Sequence, residues 1–353
     1  MFGQSSAMQT LRGVACVLTF CSGMFAGAAI AQTAADIAAI SGPDRMQKLI
    51  DGAKKEGQLS IYTSATLEDM TIITGAFEKK YGVKVKLWRG SSEDLSARTL
   101  GEFRAGRSDV DTYETTGLVM EIFHREGVLQ AINTPSTTNL MPQASFPHKE
   151  WVATRLNIFA MAYNTNSIAK KDAPTKWEDL LDPKFKNKIA VEDGSIDWFS
   201  AVVTDMGEEK GLKLFRDIVQ RNGISVRRGY TLLANLIASG EVPLSMTAYD
   251  NRITLMKSEG APVELIYMPP VFGQPTGIGV AKRAPHPHAA LLFYEFMLDD
   301  GQKLYFERGV NPTNTKIKPP PAGVDLKFVS FPPLLDESEK WTKLYRDTFV
   351  NRR

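Results

Sequence analysis

At Tyr249-Asp250-Asn251-Arg252 a phenol, a carboxylate and a guanidinium fall within four residues. They follow an apolar run at 243–246 and precede a helical pattern that begins at Ile253. The seam between a strand end and a helix start is where open α/β sheets bind their ligands. Tyr249, Asp250 and Arg252 are therefore candidate ligand contacts. Small polar residues recur at equivalent seams along the chain: Ser64, the pair Ser91 and Ser92, Thr115, Asp193 with Ser195, and Tyr230 behind Gly229. Helix N-termini carry unpaired N–H groups and a positive dipole end, and hydroxyls add donors without charge, a chemistry suited to an anion. Each of these residues could equally be a helix cap.

Arg155 lies within an apolar run, and a buried guanidinium needs a partner. That partner is either a structural carboxylate or an anionic ligand held through paired hydrogen bonds. Arg227 and Arg228 stand at another strand end, one expected to face solvent and the other the cleft, with Arg228 carried as the candidate. Arg252 could alternatively form a surface pair with Asp250 or Glu259.

Enzyme chemistry finds little support. The chain has no Walker loop, no His-Glu-x-x-His and no Gly-x-Ser-x-Gly, and Gly277-Ile-Gly279 lacks the third glycine and following helix of a dinucleotide fingerprint. Of the four histidines, His286 and His288 sit beside prolines at a helix start and read as caps or solvated groups. His124 falls on a helix and His148 in a loop, with nothing in the sequence to pair them. Glu192 and Asp193 are adjacent at a strand end, an arrangement too common to indicate hydrolysis. No catalytic residue and no cofactor is assigned; a secreted enzyme is the remote alternative.

These residues need elements to position them. The 353 residues are 43% hydrophobic and 23% charged, an ordinary globular composition at a length that favours two domains. The formal charge of +2, with no long basic run, excludes a nucleic-acid footprint. Arg12 precedes an uncharged apolar segment that closes on Ala29-Ile30-Ala31, the pattern of a signal peptide over 1–31 cleaved near Ala31. The expectation is export from the cytoplasm. Both cysteines, Cys16 and Cys21, lie in that segment, so the mature chain would have neither disulfide nor thiolate.

Beyond residue 42, helical and strand patterns alternate with short connections, which predicts parallel sheets with helices on their faces. Two long extended runs, 151–164 and 263–282, interrupt the alternation. They predict two lobes with the chain crossing twice: a first lobe over 43–157, a second over 158–276, and a return of 277–353 to the first lobe with a C-terminal helical tail. A cleft would lie between the lobes and a two-strand hinge beneath it.

Several stretches resemble extracytoplasmic solute-binding proteins of ABC importers, in the branch related to ferric-ion-binding proteins. They are QLSIYTSATLEDMTIITGAFEKKYGVKV, WVATRLNIFAMAYNT with Trp151, Arg155, Tyr163 and Asn164, KWEDLLDPKFKNKIAVED, and GIGVAKRAPHPHAALLFYEFMLDDGQKLYFERGVNPTN. The resemblance implies the type II periplasmic-binding fold, a ligand closed between two lobes, and a cognate permease in the inner membrane; the protein is taken as a monomer. Ferric binders resemble one another in a Tyr-Tyr pair where this chain has Tyr249-Asp250, and some carry a histidine after the first strand where this chain has TSATLED. The expected solute is thus a small organic anion, a carboxylate, phosphonate or phosphate ester. The alternative is Fe(III) as cargo, with Tyr249 and Asp250 as ligands and a synergistic anion on Arg155.

Overall fold

The structure, a computed structural model, describes residues 32–107, 109–319 and 323–351. The expected signal peptide lies outside the described residues. Among those described, no helix is long and apolar enough to cross a membrane.

The described residues form twelve strands: β1 (Gln58–Thr63), β2 (Lys84–Arg89), β3 (Thr112–Thr116), β4 (Leu129–Gln130), β5 (Trp151–Asn164), β6 (Ile189–Glu192), β7 (Ser225–Arg227), β8 (Leu244–Tyr249), β9 (Val263–Ile266), β10 (Val271–Ala281), β11 (Asn311–Pro312) and β12 (Leu326–Phe328). The main path runs β2-β1-β3-β10-β5-β8-β6-β7. β1 is parallel to β2 and β3, and β6 is parallel to β7 and β8. Between these parallel groups stand β10 and β5, antiparallel to each other and to their outer neighbours β3 and β8.

Local signals explain the flanking helices. Helix Leu67–Tyr81 starts on Thr66, whose hydroxyl accepts from the Asp69 N–H, and stops at Gly82 in the left-handed region with φ 74°. Helix Ser92–Arg104 is capped the same way by Ser91. The helix after β8 begins at Asp250 rather than Ile253, so Asp250, Asn251 and Arg252 form its first turn.

β5 carries the architecture. Its first part, up to Ile158, pairs with β10, and from Phe159 onward it pairs with β8 and β9. The strand therefore passes from one parallel group to the other without a break. Within its 14 residues only Arg155 and Asn157 are less than fully buried, two residues apart and so on one face. On β10 only Gln274 is, and it lies opposite Asn157 in the register. The second expected crossing run differs from the sequence reading: it breaks between β9 and β10 around Pro269-Pro270, where the missing N–H donors interrupt the ladder. Gly277, singled out above as part of a failed fingerprint, has a packing reason, since a Cβ there would lie 2.4 Å from the Val152 carbonyl oxygen and 2.6 Å from the Trp151 ring.

Two main cores flank the crossing. One gathers Leu59, Ile61, Phe77, Phe123, Trp151 and Phe293; the other gathers Phe159, Trp177, Trp198, Phe199 and Phe215. The C-terminal segment corrects one expectation. Instead of ending on the first core, Phe331, Leu334, Trp341, Tyr345 and Phe349 belong to the second. Phe349 sits edge-on to Phe199 and Phe215 at 5.3 and 5.8 Å, and the Tyr345 hydroxyl donates to the Glu192 carbonyl. The physical reason is aromatic area, which the second core supplies and the tail needs to cover.

Candidate functional site

The strand ends of the group formed by β6, β7 and β8, with Asn157 and Gln274 on the crossing strands, gather one polar cluster. Its centre is Tyr249 at the end of β8. The Tyr249 ring stacks on Tyr230 at 3.9 Å and leans on Phe159 at 5.6 Å. Its hydroxyl donates to Gln274 Oε1 at 3.3 Å. Gln274 Nε2 donates to Asp197 Oδ2 at 2.6 Å, and Asn157 Nδ2 donates to Gln274 Oε1 at 3.2 Å. Tyr230 meets Ser195 through their hydroxyls at 2.5 Å. Glu192, buried at the end of β6, accepts the N–H groups of Gly194 at 2.6 Å and Gly229 at 2.9 Å. An internal carboxylate thus takes backbone donors beside the starts of helices Ile196–Met206 and Tyr230–Ser239.

Burial sets the protonation of this cluster. It pushes the Asp197 carboxyl up to about 6. Burial, with Asp197 and Glu192 nearby, holds the Tyr249 phenol well above its ordinary range, and burial with Tyr249 beside it does the same to Tyr230. Both phenols are neutral at physiological pH.

The structure separates the expected residues. Ser195, Tyr230 and Tyr249 come together as described. Ser64 and Thr115 bond each other through their hydroxyls at 2.8 Å. Arg155 pairs with a carboxylate in this structure: Nη2 and Nε donate to Glu114 Oε1 at 2.8 and 3.1 Å, and the guanidinium lies 4.9 Å from the Tyr305 ring centre. Burial is the largest influence and opposes its charge, but Glu114, Tyr305 and Asp69 together hold the guanidinium above its ordinary value.

Asp250 does not join Tyr249. Its oxygens accept from the Tyr267 hydroxyl at 3.1 Å and Asn311 Nδ2 at 2.8 Å, which ties the helix start to β11. Arg252 forms neither surface pair considered from sequence, and its Nε is buried without a partner. Ser91 is a helix cap and Ser92 opens the same helix. Asp193 is exposed, with its N–H donating to the Arg227 carbonyl. Arg227 approaches Glu241 at 3.6 Å, while Arg228 is exposed.

Sequence reasoning missed Glu114, Asn157, Asp197 and Gln274. Asn157 and Gln274 had a readable signal, as polar residues interrupting long apolar runs. His124 and His148, unpaired in the sequence, stack with ring centres 4.0 Å apart. His286 and His288 bond Asp111 and Glu56, which also accept backbone N–H groups at the start of helix Pro287–Leu298. Among the described residues, no group of three or more His, Cys, Asp or Glu could hold a metal ion.

This arrangement, with polar strand ends converging on paired crossing strands, agrees with a family model described as bacterial extracellular solute-binding protein, which matches residues 73–327. The chain belongs to that family. The solute-binding protein is 23% identical over 271 residues to iron uptake protein A1 of Synechocystis sp., covering 71% of this chain and 74% of the relative. Its fold is similar to that of iron-bound HitA from Pseudomonas aeruginosa, at a TM-score of 0.71 and 22% identity over 82% of this chain and 99% of that one. AfuA from Actinobacillus pleuropneumoniae, solved with fructose-6-phosphate, is similar at a TM-score of 0.68 and 24% identity, covering 84% and 100%. The fold is therefore the type II periplasmic-binding fold.

Proposed function

We propose that this solute-binding protein is the periplasmic component of an ABC importer and captures a small organic oxyanion between its lobes for delivery to a permease. The observation that carries the choice of solute is the parting of Tyr249 from Asp250. With both Asp250 oxygens engaged by Tyr267 and Asn311, the Tyr-Asp sequence does not act as a ligand pair. What remains is an aromatic wall of neutral phenols, Tyr230 and Tyr249, with Ser64 and Thr115 on the other parallel group and Arg228 exposed at the end of β7. A carboxylate, phosphonate or phosphate ester suits that inventory, and AfuA was solved with a sugar phosphate.

The test is a thermal-shift screen of the mature chain, stripped of carried ligand by unfolding and refolding. At about a hundred times its dissociation constant a ligand stabilises by roughly 2.7 kcal/mol. A shift with an iron-free oxyanion is expected; a shift only with ferric salts would reject this choice of solute.

A second reading, Fe(III) as cargo, is favoured by the likeness to iron uptake protein A1 and by the oxygen-only donors Tyr230, Tyr249, Glu192 and Asp197. It requires two buried phenols to lose their protons. It predicts a visible phenolate–iron band in the loaded protein that Tyr249→Phe removes.

A further inference from the structure

The directions of the hydrogen bonds in the site determine what its phenols can offer a solute. Gln274 has one donor end and one acceptor end. Its 2.6 Å contact is with Asp197 Oδ2, and an ionised carboxylate only accepts, so the amide NH2 must face Asp197. Oε1 then faces the other way, toward Asn157 Nδ2 and the Tyr249 hydroxyl. Turning the amide over would set its oxygen against the carboxylate and its nitrogen against the Asn157 amide nitrogen. Tyr249 has one hydroxyl proton, and that proton goes to Gln274.

Tyr230 and Ser195 share a 2.5 Å hydroxyl contact in which either can donate, and Ser195 also reaches Glu192 Oε2 at 3.4 Å. The Tyr249 phenol turns its proton toward the protein and keeps its lone pairs for whatever lies against it. An anionic oxygen placed there would meet lone pairs with no proton between.

We infer that Tyr249 is a hydrogen-bond acceptor toward the solute, so that the oxyanion proposed above carries a hydroxyl or ammonium group at the end that meets it. The inference rests on that oxyanion reading. It makes Gln274 a positioning residue, acting through Tyr249, and Asp197 the group that fixes its orientation.

The experiment uses matched probes on the mature chain by titration calorimetry: propyl phosphate against glycerol 3-phosphate, and propylphosphonate against 3-aminopropylphosphonate. At least one donor-bearing member is expected to bind tenfold or more tighter than its plain partner. That ratio should fall toward one in Asp197→Asn, which lets the Gln274 amide turn over, and in Tyr249→Phe, which removes the acceptor should the first variant fold poorly. Equal affinities within both pairs would overturn the inference and leave the oxyanion reading standing. Binding of none of the four would overturn the oxyanion reading instead. The acceptor role is then decided without ligand by neutron diffraction from a deuterated crystal. A deuteron on Tyr249 directed at Gln274 Oε1 is expected, and one directed anywhere else overturns it.

Discussion

Removing Glu114 tests whether Arg155 belongs to the fold or to the ligand. Glu114 is fully buried and the Arg155 side chain is only 14% exposed. The guanidinium gives Glu114 two hydrogen bonds, and its other close contact is the face of Tyr305. Glu114→Ala therefore leaves a buried cation with only that ring, worth roughly 0.5–2 kcal/mol, against the 3–5 kcal/mol that breaking one side of a buried pair costs. Arg155→Met is the gentler change, because Glu114 keeps the hydroxyls of Thr63 at 2.5 Å and Tyr305 at 3.3 Å. The double variant should recover much of the loss, with a coupling of about 1.5 kcal/mol or more, inside the range seen for residues in one network.

The assay is urea unfolding of the four proteins without ligand, followed by titration of each with the solute identified in the screen. Glu114→Ala should be the least stable, then Arg155→Met, with the double variant above Glu114→Ala. If Arg155→Met unfolds at the wild-type urea concentration and loses a hundredfold in solute affinity, the assignment fails: Arg155 would be a ligand clamp and Glu114 merely its resting partner.

Asp197 gives the site a pH signature. Its folded-state pKa of about 6 lies above the ordinary 3.8, so the native state binds the proton more tightly than the unfolded chain. This group therefore weakens the fold above pH 6 by on the order of 3 kcal/mol, and stability is regained as pH falls from 6 toward 4. Comparing the pH dependence of unfolding in wild type and Asp197→Asn should show that component vanish in the variant; parallel curves would refute it. Asp250→Ala should cost about 2–3 kcal/mol in urea unfolding, since it leaves the buried Asn311 amide and the Tyr267 hydroxyl each short of an acceptor. Phe349→Ala should cost roughly 3–5 kcal/mol, the usual range for a buried phenylalanine, and a loss below 1 kcal/mol would mean the tail is not part of the second core.

Much of the fold was legible because each signal was local. The alternation of periods, the glycine at residue 82 and the caps at Thr66 and Ser91 are read within a few positions of themselves. The long apolar run at 151–164 announced a crossing strand because no neighbouring strand is so long. The tail was misplaced for the opposite reason. Phe331, Trp341, Tyr345 and Phe349 show an apolar face, but which core receives it depends on residues such as Phe199 and Phe215, more than a hundred positions away.

The candidate site was legible by location and not by partner. Sequence position put Ser195, Tyr230 and Tyr249 at strand ends, where they are. It could not say that Asp250, one residue from Tyr249, would turn to Asn311 and Tyr267, because successive residues at a helix start point in directions some 100° apart and only the third dimension supplies the neighbours. The same limit applied to Arg155, whose carboxylate partner, Glu114 on β3, lies 41 positions away. Yet the pattern held one unread signal. A strand buried on both faces has no reason to carry Asn157, nor its partner strand Gln274, unless something polar lies over that spot. Polar residues within those apolar runs mark where the two crossing strands lie side by side, and here they lead directly to Tyr249 and Asp197 of the candidate site.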